Sequence, residues 1–276
     1  MAKKLLLFFL LQTACYCYAQ NLVDKKITDV SYYPEKVAKA NEYIAERCKL
    51  DIYYPANKKD CPTIIWLHGG GLTGGNKEAP QALMNKGFIV IAVGYRLSPK
   101  ANVKDIIEDA TAAVAWAFKN VETYNGNRKL IFVSGHSAGA YLGLMLTLNK
   151  SYLANYQIDA DSIAGLISFS AQAITHFTAR KEIGITDTQP LIDKYAPLYF
   201  VRASAPSFLL LTGDREMELL GRYEENAYLA RMMKLSGHKK TTLYEFQGYG
   251  HNMVEPGVPL LIKRVNELTK EIMSIK

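Results

Sequence analysis

The sequence lacks long runs of charge of one sign. Its formal net charge is +7, but its lysines and arginines are scattered, with no run of five or more. Proteins that bind nucleic acids usually concentrate their basic residues in a patch or a stripe. This distribution excludes that signature, so we expect no nucleic-acid partner and a neutral or weakly acidic substrate.

Metal-binding motifs and repeats are missing as well. The histidines and cysteines form no cluster at metal-ligand spacing, and no H-E-x-x-H motif occurs. We therefore expect neither a metal nor another cofactor. Internal repeats, low-complexity tracts and Pro- or Ser-rich linkers are also absent, which predicts one domain over residues 20–276. The composition, 49% hydrophobic and 21% charged, is that of an ordinary globular chain.

Long hydrophobic runs are scarce, and one stands at the start of the chain. Two lysines precede an unbroken apolar run, Leu5–Leu11, and small and polar residues follow it up to Ala19. This order predicts a signal peptide over residues 1–19, because the run is too short to span a bilayer. We expect an exported protein, periplasmic or secreted, with a net charge of +5 and no stable membrane insertion after cleavage. A membrane anchor and lipid attachment at Cys15 are the alternatives.

Cysteine is rare in the predicted mature chain, which keeps only Cys48 and Cys61. An exported protein can form a disulfide. If residues 47–54 and 63–67 are the two strands of one hairpin, however, the cysteines lie several residues apart along it, at about 3.3 Å per residue. We predict two unpaired cysteines.

Short apolar runs rich in β-branched residues indicate buried strands. They are Thr63–Leu67, Phe88–Val93, Leu130–Val133, Ile163–Phe169, Ser207–Leu211 and Thr241–Phe246. Helical stretches lie between them, and the periodicity is clearest from Val103 to Phe118. The alternation predicts an α/β fold whose mostly parallel central sheet is flanked by helices. Residues 171–203 break the alternation and collect aromatic residues, so we interpret them as a small cap.

A G-x-S-x-G motif, Gly135–Gly139, directly follows one of these strands and precedes a predicted helix. A nucleophilic serine needs a tight turn from strand to helix, with glycines where a side chain would clash. The motif makes Ser137 the candidate nucleophile. A glycine-rich turn without catalytic function is the alternative.

A second glycine motif, His68–Gly71, follows the strand Thr63–Leu67 and matches the H-G-G-G loop of an oxyanion hole. We predict that the backbone N–H groups of Gly70 or Gly71, together with that of Ala138, stabilise an oxyanion. A phosphate-binding loop is disfavoured because the Lys-Ser/Thr pair of a P-loop is missing.

The general base and its carboxylate partner are expected on two later loops. His251 follows the last predicted strand and precedes a C-terminal helix predicted from near Val258, which suits a base. The loop after Ser207–Leu211 carries two competing acids, Asp214 and Glu216. Asp214 has the alternative role of capping the turn, and Glu216 that of pairing with a surface arginine.

A third carboxylate in the same loop, Glu218, is expected to begin the next helix. The other four histidines are assigned other places: His68 and His136 are structural parts of the glycine motifs, His176 lies in the cap and His238 at a helix end.

Together these motifs resemble a bacterial esterase/lipase group that includes hormone-sensitive-lipase-like enzymes and bifunctional feruloyl and acetyl-xylan esterases. The resemblance extends to the following segments: Gly75-Asn76-Lys77, Tyr95–Pro99, the helix from Glu108-Asp109 to Trp116, and Tyr249-Gly250-His251. It implies the α/β-hydrolase fold and a serine carboxylesterase. In such enzymes the acid usually stands three residues after the loop glycine, which corresponds to Glu216, although the usual residue there is Asp.

The resemblance and the predicted export imply a small-molecule or carbohydrate ester as substrate, with acetyl or feruloyl groups removed from plant polysaccharide or related esters. Fold and triad are shared with other hydrolases. An exported peptidase or an arylformamidase with the same triad is therefore one alternative, and a non-catalytic binding relative is another.

Overall fold

The computed structural model describes residues 23–275, so the predicted signal peptide and Cys15 lie outside the described residues. The strands are β1 (Asp24–Ser31), β2 (Lys49–Pro55), β3 (Cys61–Leu67), β4 (Ile89–Val93), β5 (Gly126–His136), β6 (Gly165–Phe169), β7 (Phe208–Gly213) and β8 (Thr241–Phe246). The α-helices are α1 (Glu35–Ala40), α2 (Glu42–Arg47), α3 (Val103–Asn120), α4 (Ala138–Leu148), α5 (Lys150–Ala154), α6 (Phe177–Glu182), α7 (Arg222–Leu235) and α8 (Val254–Ser274).

The eight strands form one sheet in the order β1-β2-β4-β3-β5-β6-β7-β8. β2 is antiparallel to both of its neighbours, and every pairing from β4 to β8 is parallel. The predicted α/β class, with a mostly parallel sheet flanked by helices, is confirmed. Parallel strands end at the same edge of a sheet, so the loops after β3, β5, β7 and β8 meet there.

The central strands are apolar because both of their faces are covered. Every residue of β3, β4 and β6 is buried, as is every residue of α4. The buried side chains form two hydrophobic clusters, one shared with α3 and α4 and the other with α8. This packing fixes the ends of β3 and β5 relative to each other.

Of the two strands at the antiparallel edge of the sheet, the sequence indicated only residues 47–54, which correspond to β2. β1 reads DKKITDVS and is mostly exposed, so it has no apolar run to mark it. The hairpin considered for residues 47–67 is wrong, because β4 lies between β2 and β3. The prediction about cysteine is nevertheless confirmed: within the described residues, Cys48 and Cys61 are free, buried thiols.

The segment from 171 to 203 contains the short helix α6 and one 3-10 turn, Pro197–Phe200. It contacts the glycine loop, since the Thr178 hydroxyl donates to the Gly71 carbonyl oxygen over 2.5 Å. In residues 23–275, no helix combines the length and the apolar character needed to cross a bilayer.

Candidate active site

Ser137 occupies the sharp turn between β5 and α4. Its backbone angles are φ 53° and ψ −114°, in the left-handed half of conformational space that non-glycine residues rarely adopt. Two hydrogen bonds hold it there: its N–H donates to the Phe169 carbonyl over 2.8 Å, and its own carbonyl accepts from the Tyr141 N–H over 2.9 Å. The serine is 6% exposed, so the turn presents one hydroxyl at a nearly dry position on the sheet edge.

The glycine at the end of the motif is required by close packing. A side chain on Gly139 would overlap the carbonyl oxygens of Leu67 and His68 at the end of β3. A Cβ on Gly69 would lie 3.5 Å from the Cβ of Ser137. The backbone of the glycine loop therefore runs directly beside the candidate nucleophile, as the sequence predicted.

The glycine loop offers backbone N–H groups to the site. Among the hydrogen bonds of residues 23–275, neither the Gly70 N–H nor the Gly71 N–H is donated to a protein acceptor. The Ala138 N–H lies in the first turn of α4, where an intrahelical acceptor is missing by geometry. These are the three donors that the sequence predicted for an oxyanion hole.

The segment Tyr95–Pro99 holds this loop in place. The Tyr95 hydroxyl donates to the His68 carbonyl over 2.6 Å, and the two rings stack with centroids 4.1 Å apart. Further along, the Ser98 N–H donates to the Leu72 carbonyl over 2.8 Å. The segment Tyr95–Pro99 thus has a physical role, because it fixes the loop that carries Gly70 and Gly71.

His251 lies in the loop between β8 and α8, and its partner is Glu218. The imidazole Nδ1 is 2.8 Å from Glu218 Oε1, and the Glu218 side chain is fully buried. Burial acts to raise the pKa of Glu218, but hydrogen bonds from His251 and Ser170 overcome it and lower the pKa to about 2. The carboxylate is therefore ionised at neutral pH and can accept the Nδ1 proton.

This geometry corrects the predicted acid. Glu216 is exposed on the loop, and the Nδ1 partner is Glu218 instead. The alternative acid, Asp214, caps the turn: its carboxylate accepts from the Glu216 N–H over 3.0 Å and from the Gly248 N–H over 2.9 Å. Both sequence-based choices for the triad acid are thus wrong as partners of His251, and the capping role considered for Asp214 is what the structure shows.

The expectation that Glu218 begins the next helix is also wrong, since α7 begins at Arg222. The Glu218 N–H donates to the Asp214 carbonyl over 2.8 Å, so residues 214–218 form one helical turn. That turn directs Glu218 back to the sheet edge. A signal was present in the sequence, because aspartate is a favoured capping residue and marks the start of such a turn.

His136, directly before the candidate nucleophile, contacts the loop of His251. Its Nε2 is 2.9 Å from the His251 carbonyl oxygen, and the two rings have centroids 4.7 Å apart. A carbonyl only accepts, so the His136 proton is on Nε2. Burial, followed by the nearby His251, lowers the pKa of His136 to about 4. A neutral His136 thus ties the two halves of the site together.

The remaining histidines have structural surroundings. Burial lowers the pKa of His68 to about 4, and its Nδ1 contacts the Gly69 carbonyl at 2.6 Å. His176 is buried with its ring centroid 4.9 Å from that of Tyr141, and His238 contacts the carbonyl oxygens of Ala205 and Pro206.

No group of three or more His, Cys, Asp or Glu side chains in residues 23–275 is placed to hold a metal ion.

Exposed apolar side chains lie on the two loops that carry Glu218 and His251. Met217 is 56% exposed, Leu220 82% and Tyr249 48%. A Cβ on Gly250 would lie 3.0 Å from the Met217 carbonyl, so the acid loop packs against the backbone next to His251. Exposed apolar groups on the loops of a candidate active site are suited to contact the apolar part of a ligand.

The sequence that forms this site matches a known protein family. The BD-FAE family model matches residues 50–220, which is well over half of the chain. The matched region contains the glycine loop, the elbow and the acid loop, but it ends before His251.

Individual relatives also match this chain in sequence. A probable isoprenylcysteine alpha-carbonyl methylesterase of Oryza sativa subsp. japonica is 26% identical over 293 residues, covering 95% of this chain and 68% of that protein. A kynurenine formamidase of Salmo salar is 34% identical over 103 residues, covering 36% of this chain and 34% of that protein.

Among solved structures, a truncated carbohydrate esterase from gut microbiota has a TM-score of 0.71 at 18% identity and covers 92% of this chain and 99% of its own. At that identity the likeness shows the fold. The chain therefore belongs to the BD-FAE family, and it is a carboxylesterase-type hydrolase built on the α/β-hydrolase fold.

Proposed function

We propose that this protein hydrolyses carboxylic esters through a triad of Ser137, His251 and Glu218. The contact that carries the proposal is the 2.8 Å pair between His251 Nδ1 and Glu218 Oε1, located where the loop after β8 meets the elbow of Ser137. A buried carboxylate on Nδ1 fixes the imidazole tautomer whose Nε2 accepts a proton. The nucleophile and its base are those that the sequence predicted.

The reaction follows from these positions. His251 Nε2 takes the Ser137 hydroxyl proton while Oγ attacks the ester carbonyl, and the N–H groups of Gly70 or Gly71 and of Ala138 stabilise the oxyanion. Protonated His251 then gives its proton to the departing alcohol. A water molecule, deprotonated by the same imidazole, releases the acid from the acyl-enzyme.

For the substrate, we propose acetyl or feruloyl esters of plant polysaccharide or related small esters. Support comes from the family match and from the carbohydrate esterase that shares the fold. Two exposed residues on the loops of Glu218 and His251, Met217 and Tyr249, are suited to contact an aromatic or sugar ring. We also propose that the protein is exported, on the basis of the predicted signal peptide.

The test is hydrolysis of p-nitrophenyl acetate, acetylated xylan and methyl ferulate by the mature protein. Ser137→Ala is expected to abolish turnover, and Glu218→Gln to lower kcat by roughly 10³- to 10⁴-fold, since a neutral amide cannot stabilise the imidazolium. The matched control is Glu216→Gln, which removes the same charge from an exposed position of the same loop. It should stay within about twofold of wild type.

Two results would contradict this assignment. Equal losses of kcat in Glu218→Gln and Glu216→Gln would show that the contact between Glu218 and His251 does not make Glu218 the acid of the triad. Equal rates for wild type and Ser137→Ala would show that the hydrolysis does not use this serine.

A second candidate, an arylformamidase, is supported by the segment that is 34% identical to a kynurenine formamidase. The same triad can attack a formyl amide. An N-formyl anilide and the matching phenyl ester separate the two activities. A kcat/KM on the anilide equal to or above that on the ester would favour the formamidase, and a ratio far below one would reject it.

A further inference from the structure

Ser170 follows β6 and lies where Glu218 and His251 meet. We propose that Ser170 is a positioning residue: its hydroxyl holds the Glu218 carboxylate in the orientation that receives the proton of His251 Nδ1. This inference rests on the proposed function, because it assigns a fourth side chain to the same triad. It requires Ser170 to act through Glu218 and His251, without touching the substrate.

Three polar groups converge at this point. The Ser170 hydroxyl donates to Glu218 Oε2 in a short hydrogen bond, and its oxygen is 3.0 Å from His251 Nδ1. The other carboxylate oxygen, Oε1, is 2.8 Å from the same Nδ1. Ser170 is 0% exposed. Each oxygen of the Glu218 carboxylate therefore has its own donor in a dry environment.

The number of available protons decides which group donates in each of these hydrogen bonds. An ionised carboxylate can only accept, so the single Ser170 proton must point at Glu218 Oε2. The hydroxyl oxygen then faces Nδ1 with a lone pair, and the hydrogen between His251 and its two neighbours must belong to Nδ1. In the neutral imidazole, the other ring nitrogen, Nε2, then carries no proton and is free to accept one from Ser137.

The backbone of Ser170 is held in an unusual conformation. Its φ is 52°, in the left-handed region that costs a residue with a Cβ about 1–2 kcal/mol. Hydrogen bonds on both sides impose it: the Ser170 N–H donates to the Leu211 carbonyl and the buried Arg222 guanidinium donates to the Ser170 carbonyl, each over 2.7 Å. Glycine would adopt this conformation without the cost. The presence of serine at this position therefore indicates a role for its side chain.

Glutamate has a particular need for such a contact. Its side chain has one more rotatable bond than aspartate, so a buried Glu218 requires more than one contact to fix its carboxylate. The other group near Oε2 is the Gly213 N–H, at 3.4 Å. Ser170 is thus the close donor to that oxygen.

The experiment compares Ser170→Ala and Ser170→Gly in the full mature protein. Both remove the hydroxyl, but only the glycine also relieves the backbone. The control is Ser168→Ala, since Ser168 is a buried serine of β6, the strand that ends just before Ser170, and its hydroxyl has no partner among the described residues. We expect kcat on p-nitrophenyl acetate to fall by about 10- to 100-fold in both Ser170 variants, with KM within about threefold. Ser168→Ala should match wild type.

A role in folding alone would give another result. Ser170→Gly would then keep the wild-type kcat, because it retains the backbone conformation, and that outcome would overturn the proposal. If kcat fell in Ser170→Ala but not in Ser170→Gly, the loss would be explained by the backbone strain that alanine keeps, and the missing hydroxyl would have no effect of its own, which would also overturn the proposal.

Proton NMR supplies a readout that is independent of turnover. The Nδ1 proton of His251, assigned by its loss in His251→Asn, should exchange slowly with water in wild type and Ser168→Ala. It should broaden or disappear in both Ser170 variants. An unchanged Nδ1 proton in Ser170→Gly would overturn the proposal. Should wild type hydrolyse no ester, the triad function fails, and this resonance still decides the role of Ser170.

Discussion

The two halves of the site are held together in different ways. On the nucleophile side, the loop after β3 and the elbow after β5 are shaped by backbone packing, with Gly139 in contact with the end of β3. On the acid side, the loops after β7 and β8 also pack closely at Gly213, but the contacts that place the acid come from side chains: Asp214 accepts from the Gly248 N–H, and Glu218 contacts His251. Backbone packing of this kind leaves a sequence motif, whereas side-chain contacts between distant loops do not.

The difference has a consequence for tolerance to mutation. A position where a side chain would overlap a backbone carbonyl can accept only glycine, and the cost of change falls on the fold. A side chain that bridges two loops near the surface can be altered at a smaller cost in stability, and the effect falls on the chemistry. Mutations in the two halves should therefore separate loss of folding from loss of rate.

The largest effect is expected at Gly139. Gly139→Ala places a Cβ on the carbonyl oxygens of Leu67 and His68, so β3 and α4 must move apart. We expect a loss of about 3 kcal/mol in the free energy of unfolding, measured by urea denaturation. Gly74→Ala is the control, because the nearest atom to its Cβ is 3.8 Å away. Similar losses in both variants would contradict the argument from packing.

A smaller effect, on the pH dependence of stability, is expected at His136, which links the halves. Its pKa is about 4 in the folded protein, where burial is the main cause, against an ordinary 6.5. The unfolded chain therefore binds the proton more readily. The free energy of unfolding is therefore unaffected by the titration of His136 above pH 6.5. As the pH falls from 6.5 to 4, protonation of this histidine in the unfolded chain lowers the free energy of unfolding by at most about 3 kcal/mol.

His136→Gln removes this titration but keeps a donor for the His251 carbonyl. Urea denaturation at pH 7 and at pH 4.5 should show a smaller difference for the variant than for wild type, by about 2 kcal/mol. Part of the decline should remain, since burial also lowers the pKa of His68 to about 4. The same decline in both proteins would show that His136 is not buried in neutral form.

The smallest effect is expected at Asp214, on the acid side. Asp214→Ala removes the acceptor for the N–H groups of Glu216 and Gly248 near the surface, at a cost of about 1 kcal/mol. Because Gly248 lies three residues before His251, we expect kcat to fall several-fold while stability changes little. Asp214→Asn should lose less than Asp214→Ala. A loss of stability as large as that of Gly139→Ala would erase the contrast between the halves.

Much of the fold was readable because its elements are strongly patterned. The six predicted strands correspond to β3–β8, and the helical periodicity from Val103 corresponds to α3. β1 was missed since an exposed edge strand needs no apolar run. The C-terminal helix begins at Val254, four residues before the predicted start, because α8 accommodates Pro259 within its helical span.

In the site, the sequence indicated what depends on local backbone geometry. The elbow around Ser137 and the loop with Gly70 and Gly71 each need glycine or serine at fixed spacing, and that requirement is written in consecutive residues. The position of His251 followed from the order of strands and loops.

Only the tertiary structure decided which carboxylate meets the imidazole. Asp214, Glu216 and Glu218 lie within five residues, and all carry the same chemistry. The choice depends on one helical turn, on the cap by Asp214, and on Ser170, which is 48 residues away in sequence and hydrogen-bonded to Glu218. The sequence shows which acids a loop contains. The direction in which each carboxylate points is set by packing and hydrogen bonds between segments that are distant in sequence.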